Sequence, residues 1–107
     1  MYKGTLHFED GDLLEITSFI IRENEIAFDA TTTWGDTERW TRSGIAMKFG
    51  DEYRSDDQPS KSVVSGVLGP SCYLHFRLGN VNPRSVEVYG YWFEGEPFKF
   101  SGLLNRD

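Results

Sequence analysis

The stretch VYGYWFEGEPFKFSGLL, residues 88–104, holds two runs of strand-forming residues joined by an EGEP turn. Each run carries a glycine near its middle, Gly90 and Gly102. Glycine packs nothing and weakens a strand, so at such positions it marks a sharp bend or makes room for a large neighbour across the core, such as Trp92. Alternation gives the bend a direction. Gly90 shares parity with Val86, Val88 and Trp92, and Gly102 with Phe98, Phe100 and Leu104, so both lie with the apolar residues that face the core. Gly4 stands in the same relation to Leu6 and Phe8 in YKGTLHF, residues 2–8. Inward glycines are where a sheet coils tightly, as closure into a small barrel requires.

Period-two alternation continues through the remaining chain, without a helical period to compete with it. Strands are expected at 2–8, 13–21, 25–33, 39–49, 63–68, 71–78, 84–93 and 98–104. EDGD, RENE, GP, GNVNP and EGEP supply turns between them. The segment GDEYRSDDQPSKS, residues 50–62, combines charges, a proline and one aromatic, which predicts a flexible loop. Short links force consecutive strands to be antiparallel neighbours, because a parallel crossover needs a dozen residues or more. The expectation is therefore one all-β domain over 1–107. It is an antiparallel meander of about eight strands, forming a closed or nearly closed up-and-down barrel, with a β-sandwich as the alternative.

Eight Phe, five Tyr and three Trp supply a core to a chain of otherwise low hydrophobicity. The net charge of −6 argues against nucleic acid, whose phosphates need a basic surface. It suits a basic partner or simple solubility. No apolar run reaches the 18 or so residues of a membrane helix. The N-terminus lacks the basic and apolar regions of a signal peptide, and the single Cys72 cannot close an internal disulfide. A cytoplasmic location with no membrane association is the expectation.

Residues for catalysis are sparse. Cys72 and His75 stand three apart on a strand, hence on opposite faces, and cannot form a thiol–imidazole pair. Two histidines and one thiol so placed make no zinc site. Asp51, Glu52, Asp56 and Asp57, or Asp10 with Asp12, could attract a cation but lack the spacing of a calcium loop, so no metal and no cofactor is expected. No nucleophile-elbow, dinucleotide or phosphate-loop motif is present.

Two candidate binding places stand out. The first is the outer face of the later strands, where Tyr73, His75 and Arg77 alternate on one strand and Tyr89 and Tyr91 on the next, with Trp40 and Arg42 forming a similar row on the fourth. Tyr, His and Arg facing solvent have the composition of an interaction surface. The second is the barrel interior or mouth, with Trp92 projecting inward and Trp34 at one end. Eight strands and inward glycines are similar to lipocalin, fatty-acid-binding and avidin-like barrels in architecture only. KGTLHF has Leu6 where lipocalins carry the tryptophan of their Gly-x-Trp, and no helical lid follows the first strand. These features point to a non-catalytic binding module for a protein or a small apolar ligand, as a monomer or homodimer. The alternatives are an acidic inhibitor or immunity-type protein that neutralises a basic partner, and a small hydrolase or isomerase without a recognisable motif.

Overall fold

The computed structural model describes residues 1–34 and 38–107, with Trp34 described by its backbone alone. Nine strands follow one another, with no helix among the described residues: β1 (Tyr2–Phe8), β2 (Leu13–Ile21), β3 (Glu25–Trp34), β4 (Glu38–Phe49), β5 (Glu52–Ser55), β6 (Gln58–Ser62), β7 (Leu68–Val81), β8 (Ser85–Glu94) and β9 (Glu96–Arg106). Every pairing is antiparallel, and β9 returns to β1, which closes the sheet. Both β5 and β6 lie between β4 and β7, end to end, so nine strands make an eight-stranded barrel with one broken stave. The meander and its closure are those the alternation predicts; the sandwich is not formed.

The broken stave corrects the sequence reading. Residues 50–62, expected as a flexible loop, supply both β5 and β6. Residues 63–67 of VVSGVL, expected as part of a strand, instead form the turn into β7, with Val64 85% exposed. Strand and loop have exchanged places. The physical reason is what each segment turns inward. Tyr53, Ser55, Ser60 and Ser62 alternate into the barrel and are buried, a pattern that hydropathy does not register because three of the four are serines.

Ser55 and one arginine repair the break. Arg42 of β4 is 2% exposed and points inward. Its guanidinium donates to the carbonyls of Ser43, of Asp56 (2.6 Å) and of Cys72, thereby joining β4, the β5–β6 junction and β7. Ser55 Oγ accepts from the Leu74 N–H at 2.8 Å, one residue beyond the last β5–β7 register pair. Side chains thus satisfy backbone groups that lie where the ladder is interrupted, as buried polar groups must be. The Arg42 guanidinium also lies 5.7 Å from the Phe28 ring centroid. Arg42 is accordingly an internal structural residue, and its expected place on the outer face is overturned. Trp40, two residues away on the same face, is half-buried, with its ring against Gly69 and not in an outward row with Arg42.

Elsewhere the interior is apolar and aromatic. Phe8 meets Trp92 and Phe100 edge-on at 6.4 and 5.9 Å, while Phe76 stacks on Tyr53 at 5.6 Å and leans on Phe19 at 5.7 Å. Trp92 is fully buried on the inner face, as its parity predicts. Gly90 lies in register between Phe76 and Phe100, and a Cβ there would run into the Phe76 Cβ and the His75 carbonyl. A Cβ on Gly102 would stand 2.9 Å from Leu6 Cδ2 and 3.1 Å from Leu6 Cα. Both glycines let a neighbouring strand approach and coil over the core; neither is there to supply an unusual φ.

A candidate binding groove on the outer wall

Register places the outward side chains of β5, β7, β8 and β9 in two rows across the wall. One row runs Glu52, Arg77, Tyr89, Ser101 and the next Arg54, His75, Tyr91, Lys99. Between them lies the backbone of Phe76 and Gly90, whose side positions face the core. The two rows therefore flank a groove of about 350 Å³ lined by Glu52, His75, Phe76, Arg77, Tyr89, Gly90, Tyr91 and Lys99. The opening glycine contributes here too: its inward geometry leaves Tyr89 and Tyr91 on the outside, each 39% exposed.

Glu52 organises one end. Its carboxylate accepts from Arg77 Nη2 at 2.5 Å and Arg54 Nη2 at 3.2 Å, and lies 2.6 Å from His75 Nε2. The Arg77, His75 and Arg54 contacts together hold its pKa down at about 2, so it stays ionised at neutral pH. Arg77 also reaches Asp51 at 3.7 Å. A carboxylate so engaged fixes its neighbours in place and has little basicity to offer a proton-transfer step. At the other end Lys99 stands 3.9 Å from Glu9, with half of its side chain exposed, a loose surface pair. Beyond the groove Tyr73 stacks on Phe93 at 4.6 Å with the rings 6° from parallel, and His75 and Tyr91 also flank Phe93.

Five of the sequence-derived surface residues are thus gathered on one wall: His75, Arg77, Tyr89 and Tyr91 line the groove, and Tyr73 extends the aromatic row beside it. Arg42 and Trp40 belong to the barrel interior and its end. Trp92 is core, and the Trp34 side chain lies outside the described residues. Lys99 and Glu52, the latter expected only as a loop carboxylate that could attract a cation, join the groove beyond the sequence-derived set. Lys99 was legible, since its parity between Phe98 and Phe100 points it outward. Glu52 was hidden by the reading of its segment as a loop. Cys72 is buried on the inner face, where burial pushes its thiol up to about 11, so it is not an available thiolate.

Fold and groove together define the chain as a small closed antiparallel β-barrel with a polar–aromatic groove on its outer wall. Among solved structures it is similar to a de novo designed fluorescence-activating β-barrel, with a TM-score of 0.62 at 18% identity, covering 99% of this chain and 90% of that one. It is similar also to a redesigned β-barrel bound to DFHBI, with a TM-score of 0.61 at 18% identity over 98% and 91% of the two chains. A further redesigned β-barrel matches with a TM-score of 0.58 at 19% identity, over 99% and 88%. No family model and no curated protein matches the sequence.

Proposed function

We propose that the protein is a non-catalytic binding module and that its recognition site is the groove on the β5–β7–β8–β9 wall. The observation that carries this reading is the convergence of Tyr89, Tyr91, His75 and Arg77 on one cavity of about 350 Å³, which lies within the usual range for small-ligand sites. Two tyrosines supply contact area at low entropic cost, and the Glu52-centred ion cluster fixes the polar end before any ligand arrives. The outer wall is favoured over the interior because the interior is occupied by Trp92, Phe76, Phe100 and their neighbours. One structural neighbour is bound to DFHBI, which supports small-ligand binding as a use of this architecture.

A second reading, a protein partner, has its own support. The outer side of β4 exposes Ile45, Met47 and Phe49, and these continue into the groove rows through Arg54 and Glu52. Exposed apolar residues in a line mark interaction surfaces, and an acidic chain of net charge −6 suits a basic partner.

Amide chemical-shift mapping with a library of small fragments tests the first reading. Perturbations clustered at residues 75–77, 89–91 and 99, and lost in Tyr89→Ser/Tyr91→Ser, are expected. Shifts confined to β4 or to core residues, with the groove silent, would overturn it.

A further inference from the structure

We infer that the groove is built for a planar ring bearing a negative charge, held edge-in between Tyr89 and Tyr91 with its anionic group toward Lys99. This rests on the reading of the groove as the recognition site and adds the chemistry of its occupant. Tyr89 and Tyr91 are two residues apart on β8, face outward on the same side, and have no side chain between them on that side. Alternate residues of a strand are spaced by about 6.6–6.8 Å. That is close to twice the roughly 3.5 Å at which carbon atoms make their best contact. Phenol rings standing off the wall at that spacing leave room for one flat ring between them, over the Gly90 backbone. A puckered or branched group is too thick for the same slot.

Charge sets the second requirement. The groove lining carries Glu52, Arg77 and Lys99 as its permanent charges. At the Glu52 end two carboxylates, Glu52 and Asp51, stand against two guanidinium groups, Arg77 and Arg54, so that end has little net charge to offer. Lys99 is different. It sits directly across from Tyr91 in register, and its ion-pair partner Glu9 is 3.9 Å away and mostly exposed. An incoming anion exchanges that loose contact for a closer one at the end of the tyrosine slot. A ligand without charge fills the slot but leaves Lys99 as it was.

Titration of the isotope-labelled full chain, followed by amide shifts, tests this with three probes: 2-naphthoate, 2-naphthamide and cyclohexanecarboxylate. Naphthoate is expected to shift residues 75–77, 89–91 and 99, to bind roughly tenfold tighter than the other two, and to lose about tenfold in Lys99→Met. Tyr91→Leu, which keeps bulk but removes the flat face, is expected to weaken naphthoate and naphthamide together. Equal binding of naphthoate and naphthamide, unchanged in Lys99→Met, overturns the charge requirement while leaving the groove as a ligand site. Cyclohexanecarboxylate binding as tightly as naphthoate overturns the stacked ring. Silence of the groove toward all three probes, in variants whose spectra remain dispersed, overturns both this inference and the recognition site beneath it.

Discussion

The two halves of the barrel wall are built by different means. The half made by β7, β8, β9 and β1 is continuous, with long ladders and an inner face of Val, Leu, Phe and Trp. The half around β4, β5 and β6 is interrupted, turns Arg42 and three serines inward, and exposes Ile45, Met47 and Phe49 to the outside. In the first half backbone pairing and hydrophobic burial suffice. In the second, side-chain hydrogen bonds replace ladder bonds, and polarity is inverted across the sheet. The barrel closes through both, so closure depends on a handful of polar contacts as well as on its core.

That contrast can be pressed experimentally. The largest effect is expected in the continuous half: Trp92→Ala removes the largest fully buried side chain among the described residues and should cost about 4 kcal/mol in urea unfolding. Arg42→Met keeps the volume but strands the carbonyls of Ser43, Asp56 and Cys72, with an expected loss of about 3 kcal/mol. Its signature should be local, with faster amide exchange at 54–60 and 72–74 while β8 and β9 keep their protection. Uniform acceleration around the barrel would show that the two halves are energetically one. Ser55→Ala withdraws the acceptor of the Leu74 N–H and should cost about 1 kcal/mol.

A pH experiment probes the groove, where the two halves meet. Glu52 has its pKa lowered from 4.5 to about 2 by Arg77, His75 and Arg54. Its folded pKa is depressed, so the stabilisation is fully present above the unfolded value and disappears as pH falls from about 4.5 to about 2. The stability gap between wild type and Glu52→Gln should therefore be open at neutral pH and narrow through that window; a gap constant with pH would mean that the ion cluster contributes nothing. The smallest effect is expected at the turn after β6, where Val64→Ser should change stability by less than about 0.5 kcal/mol because the side chain is already in water.

The same contrast explains how far the sequence could be read. Where the interior is apolar, alternation predicts strand positions and parity, including the inward placing of Gly90 and Gly102, whose observed part is to admit a neighbouring strand, and through parity it reaches most of the groove. Where the interior is polar, hydropathy points the wrong way. Ile45, Met47 and Phe49 have the hydropathy of an inner row and are outside, whereas Arg42 has that of an outer residue and is inside. Likewise VVSGVL has the composition of a strand and most of it is a turn, while QPSKS has the composition of a loop and is β6. Hydropathy reports what a side chain prefers in isolation. It does not report that a buried guanidinium can be satisfied by three backbone carbonyls, or that an inward serine can accept a backbone N–H the ladder leaves free. Glu52 is read from the sequence only as a loop carboxylate for the same reason, because its strand is hidden.

The junction at Asp56–Asp57 belongs to no ladder pair, standing between the register of β5 and that of β6. In an unbroken strand, one inserted residue turns every later side chain to the opposite face. Here such a change after Asp57 meets a point where pairing has already stopped and restarts independently at Gln58. The break thus insulates the two ends of the stave from each other. A lineage could lengthen or shorten the chain there, altering what surrounds the Arg42 end of the barrel, without disturbing the alignment that puts Glu52 beside His75 and Arg77.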